Sequence, residues 1–242
     1  MANNIPLNER IIFALDFISP ALALEWVKKL DGEIKFFKVG LQLFLAGWFP
    51  VIEEIVDRGN RVMVDLKFFD IPVTVKLAVE QLAGRGITFA TVHGNAPIIR
   101  AALEAECDAR ILAVTVLTSF GKDDMREMGL SGSIDDLVNL RARRAYELGC
   151  HGVVASPLEA RRLRKEIGEE FCLVTPGIRP RTDSNGLGND DQVRIATPGQ
   201  AIINGADHLV IGRPFQEAAD PLGLAKKIKK EVARGLEERV LL

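Results

Sequence analysis

The chain has 242 residues, and 31 Lys and Arg against 33 Asp and Glu leave a formal net charge of −2, a balance that argues against a nucleic-acid partner. Hydrophobic residues at 48% and charged residues at 26% exclude a disordered chain. No apolar run approaches the roughly 20 residues that span a bilayer, and the start lacks a basic segment followed by an apolar one, so no membrane association and a cytoplasmic location are expected.

Short β-branched apolar runs alternate with helical patterns along the whole chain, at residues 11–16, 36–40, 61–68, 89–93, 110–117, 152–156, 172–177 and 208–213. Eight such runs with helices between them predict parallel βαβ units. Their even spacing points to an α/β fold made of a single-domain (β/α)8 TIM barrel over residues 1–242. No G-x-G-x-x-G follows the first run, which disfavours an open dinucleotide-binding sheet.

Between the runs, Leu41, Phe44, Leu45, Trp48, Ile52, Ile55 and Val56 form one helical stripe, and Leu224, Ile228, Val232, Leu236 and Val240 step by four near the C-terminus. Gly59, Gly86, Gly149 and Gly205 are expected to stop helices before the next strand. Cys107, Cys150 and Cys172 are too far apart for a zinc or redox motif and read as buried thiols. His93, His151 and His208 are equally isolated, so no metal is expected. Lys226, Lys227, Lys229 and Lys230 read as the solvated face of the last helix.

Active sites of such barrels lie at the C-terminal ends of the strands. Asp16 falls at the end of the first run, Lys38 inside the second, and Asp65 and Lys67 near the end of the third. Buried charges are costly unless paired, so four at one mouth suggest function rather than packing. Asp65 and Lys67 are two apart in a strand and should share a face. Carboxylates beside Lys67 would favour its charged form, making it an acid and a cation rather than an amine nucleophile. A reaction that builds negative charge on carbon and ends by accepting a proton fits that lysine. Gly212 and Arg213 close the eighth run, where barrels of this kind often hold phosphate. The polar stretch at about residues 178–196 reads as an active-site lid, with Gln192 able to reach a bound ligand.

Residues 65–74 read D-x-K-x-x-D-I-P-x-T, through Asp65, Lys67, Asp70, Ile71, Pro72 and Thr74. With Asp16, Lys38, Thr118, Arg179, Gln192 and Arg213 in order along the chain, the sequence resembles the orotidine 5′-phosphate decarboxylase family, in its short bacterial branch. The resemblance implies a carboxy-lyase that converts orotidine 5′-phosphate to UMP without a cofactor. It further implies that Lys67 protonates C6 of the pyrimidine, Asp65 sits beside the departing carboxylate, and Lys38 and Asp16 bind ribose and complete the charge network. Asp70, Ile71 and Thr74 would enter the site of a partner subunit, which makes a homodimer the expected assembly. Thr118 would meet the base, Arg179 and Gln192 would come from the lid, and Gly212 with Arg213 would bind the 5′-phosphate. A magnesium-dependent sugar-phosphate decarboxylase or aldolase on the same barrel resembles the chain at D-x-K-x-x-D, but the Ile71-Pro72-Val73-Thr74 continuation favours the nucleotide.

Overall fold

The computed structural model describes residues 5–180 and 194–241. Eight parallel strands close into a barrel in chain order, with β8 returning to β1. The strands are β1 Ile11–Ala14, β2 Phe36–Gly40, β3 Arg61–Phe68, β4 Phe89–His93, β5 Arg110–Val114, β6 Gly152–Val154, β7 Cys172–Thr175 and β8 His208–Ile211. Around them lie α1 Pro20–Lys29, α2 Leu41–Asp57, α3 Pro72–Glu80, α4 Ala96–Leu103, α5 Lys122–Glu127, α6 Ile134–Glu147, α7 Ala160–Ile167, α8 Pro198–Ile203, α9 Arg213–Glu217 and α10 Pro221–Val240.

The strands bury both faces, which is why they read as continuous apolar runs rather than alternating ones. One face fills the barrel interior with Ile12, Phe36, Met63, Phe89, Leu112, Val114, Val154, Cys172, Val174 and Val210, so that every strand contributes. The other face packs beneath the helices in a larger layer that includes Phe13, Phe37, Val62, Ala90 and Ile211.

Five strands are shorter than their apolar runs. β1, β5, β6, β7 and β8 end before Asp16, Leu117, Ser156, Gly177 and Arg213. The surplus residues, among them Val116, Ala155 and Pro176, line a cavity at the mouth, so apolarity there records a wall rather than a ladder. Asp16 accordingly lies on the loop after β1.

The stripe expected on α2 holds only in part. Ile52 and Ile55 are buried, whereas Leu41, Leu45 and Trp48 are exposed and Leu43 is buried instead. The helix is broken at Trp48, where φ is 49° and ψ is −148°, two residues before Pro50. Proline cannot continue the helical hydrogen bonding, so the phase resets and one period cannot describe both halves. On α10, Ile228 and Val232 are buried but Val240 is exposed, because each step of four overshoots a turn by about 40° and the stripe rotates off the core. Cys150 and Cys172 are buried as expected, while Cys107 is only half-buried. Gly59 and Gly149 follow α2 and α6 with φ of 74° and 82°, a left-handed exit that glycine allows without steric cost. Gly86 instead lies beyond the turn that follows α3.

The N-terminal mouth is a structural end. Arg164 donates to the carbonyls of Gly205, Gly168 and Phe171 at 2.7, 3.1 and 2.6 Å and pairs with Asp207, which accepts the Leu173 amide at 2.8 Å. His208 is buried there against the rings of Phe36 and Phe89, its Nδ1 2.9 Å from the Glu9 carbonyl.

Candidate active site

The C-terminal mouth opens into a cavity of about 300 Å³ lined by Asp16, Lys38, Asp65, Lys67, Thr118, Arg179, Gly212 and Arg213 together with apolar residues of the strand ends. Eight residues singled out in the sequence therefore meet around one space, although they come from the ends of β1, β2, β3, β5, β7 and β8.

Charge alternates across the floor. The Lys38 ammonium lies 3.2 Å from Asp16 and 3.5 Å from Asp65, and the Lys67 ammonium lies 2.9 Å from the same Asp65 carboxylate oxygen. Exposure is graded along this chain: the side chains of Lys38 and Asp65 are 11% and 10% exposed, Lys67 36% and Asp16 54%. All four line the cavity, but the two inner groups are largely buried while the two outer ones are more open to solvent. Burial alone would lower the Lys38 pKa, but the charges of Asp65 and then Asp16 outweigh it and hold the ammonium above its ordinary value. Burial pushes Asp65 up in the same way, yet Lys38, Lys67 and hydrogen bonds from Lys67 and Thr91 hold its carboxyl below the usual range. Both inner groups are thus ionised at neutral pH, and each exists as an ion because of the other.

The third strand places Asp65 and Lys67 by an irregularity. Val64 pairs with Ala90 and Phe68 with Val92, so Asp65, Leu66 and Lys67 stand opposite Thr91 alone. Three residues against one make a bulge, and Lys67 adopts φ of 50°, a left-handed backbone that non-glycine residues rarely take. The expected shared face of Asp65 and Lys67 is realised, through a bulge rather than regular alternation. Thr91, which the sequence reading did not single out, closes it: its hydroxyl accepts the Lys67 amide at 3.0 Å and donates to Asp65 at 2.9 Å. The available signal was a hydroxyl between two apolar neighbours, at an inward position of β4.

The remaining expected residues stand apart. Asp70, Ile71 and Thr74 are exposed beyond β3 and do not line the cavity of their own chain. Asp70 accepts the Ile71 amide at 2.7 Å at the start of α3. Gln192 lies outside the described residues. The ends of the stretch read as a lid are joined, since the Arg179 amide donates to the Ala196 carbonyl at 2.9 Å and the Ala196 amide to the Gly177 carbonyl at 3.1 Å. Arg194 adds a second tie, pairing with buried Glu159 after β6 and donating to the Leu117 carbonyl at 2.9 Å after β5. Among the described residues no group of three or more His, Cys, Asp or Glu side chains could hold a metal ion, and no helix is long and apolar enough to cross a membrane.

Comparison with known proteins agrees with this architecture. Residues 9–228 match the Orotidine 5′-phosphate decarboxylase / HUMPS family. Orotidine 5′-phosphate decarboxylase from Methylococcus capsulatus is 45% identical over 94% of this chain and 93% of its own. The protein of the same name from Rhodopseudomonas palustris is 46% identical over 93% and 95%. The crystal structure of orotidine 5′-phosphate decarboxylase from Lactobacillus acidophilus superposes with a TM-score of 0.80 at 36% identity, covering 93% of this chain and 99% of that one. With the barrel, the charged floor and full-length likeness in agreement, the chain belongs to the orotidine 5′-phosphate decarboxylase / HUMPS family.

Proposed function

We propose that the protein removes the carboxylate of orotidine 5′-phosphate to give UMP, without a cofactor, and that Lys67 delivers the proton to C6. The observation that carries this reading is the Asp16, Lys38, Asp65, Lys67 series, with an ammonium held 2.9 Å from a buried carboxylate at the floor of the cavity. The names of the relatives at 45% and 46% identity support the same substrate.

Loss of carbon dioxide from the pyrimidine leaves an electron pair on C6 with no ring carbonyl placed to delocalise it. An ammonium at that carbon stabilises the pair and then quenches it by giving up a proton. One ion pair at about 4 Å in an effective dielectric near 20 is worth roughly 4 kcal/mol, or about three powers of ten in rate. Enzymes commonly supply 8 kcal/mol or more, so the lysine must be assisted. Asp65 beside the substrate carboxylate disfavours the ground state, a contribution that vanishes when carbon dioxide departs. Arg213 and Gly212 gripping the 5′-phosphate, with Arg179 and Gln192 closing over it, supply binding energy remote from the reacting carbon. Thr118 on the loop after β5 meets the base, and Asp16 and Lys38 meet the ribose.

A homodimer completes the site in this reading. Phe69, Ile71, Val73 and Leu77 are 55–63% exposed around Asp70, and Leu41, Leu45 and Trp48 are exposed on the preceding helix of the barrel. Such an apolar surface suits an interface. Asp70, Ile71 and Thr74 would then reach the partner's cavity, and Asp70 would add a second carboxylate beside the partner's lysine.

The test is spectroscopic conversion of orotidine 5′-phosphate to UMP by purified protein in excess chelator, with Lys67→Ala as control. Turnover by the wild type alone is expected; loss of turnover on chelation, or full activity in the variant, would overturn the mechanism.

A further inference from the structure

We propose that Thr91 is a positioning residue, whose single hydroxyl pins the bulge of β3 and so sets the separation of the Asp65 carboxylate and the Lys67 ammonium. This rests on the function proposed above and adds to it a residue with no contact to the cavity.

Three observations carry it. Thr91 has no exposed surface, so its hydroxyl must find partners within the protein. Both partners lie in the bulge: the Lys67 amide donates to Oγ1 at 3.0 Å, and Oγ1 donates to Oδ1 of Asp65 at 2.9 Å. Asp65, Leu66 and Lys67 face Thr91 alone on the β4 side, and on the β2 side the register ends at Gly40 opposite Asp65, so Leu66 and Lys67 have no ladder partner that sets their position relative to Asp65. The hydroxyl thereby occupies the place that ladder hydrogen bonds hold elsewhere in the barrel.

The geometry also explains why the left-handed backbone at Lys67 persists. A non-glycine residue at φ of 50° is held there only when its surroundings over-determine it. Here the Lys67 amide is captured by Thr91 while the Lys67 side chain is drawn to Oδ2 of Asp65, whose other oxygen is held by the same Thr91. Amide, hydroxyl, carboxylate and ammonium form a closed ring through a single residue of the neighbouring strand. Removing the hydroxyl frees the Asp65 carboxylate to rotate and the Lys67 backbone to relax, and both change where the ammonium lies.

The test compares Thr91→Val, which keeps the volume and loses the hydroxyl, with Thr91→Ser, which keeps the hydroxyl and loses a methyl. If Thr91 only fills space, valine is benign and serine harmful. If it positions the pair, the order reverses: kcat for orotidine 5′-phosphate falls about 10- to 100-fold in Thr91→Val with KM changed by less than about threefold, while Thr91→Ser stays within about threefold of wild type. Should the valine variant fail to fold, Thr91→Ala against Thr91→Ser isolates the same hydroxyl. Amide hydrogen exchange at Lys67 provides a readout that does not depend on activity, and faster exchange is expected in the valine or alanine variant but not in serine. Equal kcat in the hydroxyl-free and serine variants, or unchanged Lys67 exchange, overturns the inference. An inactive wild type with the exchange difference intact would instead overturn the proposed reaction and leave the positioning role standing.

Discussion

The ammonium of Lys67 and the carboxylate of Asp65 lie 2.9 Å apart at a bulge where β3 has lost its regular pairing with β4. In regular alternation the two side chains would project side by side from one face. The bulge and the left-handed turn at Lys67 bring them into contact instead, while Asp65 keeps a second cation, Lys38, at 3.5 Å. One buried carboxylate therefore serves two lysines that both line the cavity, of which Lys67 is the more exposed.

Lys67 is the chemically exposed end of this series, so its removal should separate folding from catalysis. Its side chain is 36% exposed, and truncating it leaves Asp65 still paired with Lys38 and hydrogen-bonded to Thr91. Lys67→Ala is expected to fold with a loss of stability of about 1 kcal/mol or less and to lose decarboxylation by at least about a thousandfold. Circular dichroism and the spectroscopic assay check the two halves; activity near wild type would remove the proposed acid.

Lys38 and Asp65 should behave in the opposite way. Both are largely buried, and breaking the pair leaves Asp65 with Lys67 alone or Lys38 with half-exposed Asp16 alone, so Lys38→Met and Asp65→Leu are each expected to cost about 1–3 kcal/mol. The double variant removes both charges and should be more stable than either single variant, because nothing buried is left uncompensated while exposed Lys67 turns to water. Chemical denaturation of the four proteins gives the coupling directly. Additive losses would mean that the two groups do not depend on each other.

The barrel was legible in the sequence because strands buried on both faces write themselves as unbroken apolar runs, and the parity of Asp65 and Lys67 survived the bulge. Strand ends were less legible, because Val116 and Ala155 are apolar for the cavity and not for the sheet. The outward turn of Leu41, Leu45 and Trp48 was hidden because a single helical period was carried across the break before Pro50. Thr91 escaped notice for a different reason: its partners lie 24 and 26 residues away, and a lone threonine in a strand carries no local signal of either.

Two buried groups away from the charged floor give the protein opposing pH dependences. Burial pushes the Glu159 carboxyl up from 4.5 to about 7, with Arg194 offsetting only part of the shift. Between those values the folded chain keeps a proton that the unfolded chain has lost, so this group lowers stability as pH rises through the window. Burial lowers His208 from 6.5 to about 4, so the unfolded chain binds the extra proton and this group raises stability as pH rises from 4 to 6.5. Each effect is bounded by about 3 kcal/mol, and they overlap with opposite sign. The stability of Glu159→Gln relative to wild type is therefore expected to rise between pH 4.5 and 7, and that of His208→Gln to fall between pH 4 and 6.5. Urea unfolding across that range checks both, and differences that stay flat would contradict the assignments.

Subunit mixing tests whether the site is shared between chains. Asp70 is exposed and absent from its own cavity lining, so in the proposed dimer the Lys67 of one chain works with the Asp70 of the other. Lys67→Ala and Asp70→Ala homodimers should each be inactive, since every site lacks one of the two groups. A hybrid of one chain of each kind has one site missing both groups and one site missing neither. Random exchange at equal concentrations makes half of the dimers hybrids, each with one of its two sites intact, so activity should recover to roughly a quarter of the wild-type level. Native mass spectrometry must establish that the hybrids have formed, and activity should rise in step with their fraction. Hybrids present but inactive would mean that Asp70 does not act in the neighbouring site, and that the exposed apolar surface around it serves some other contact.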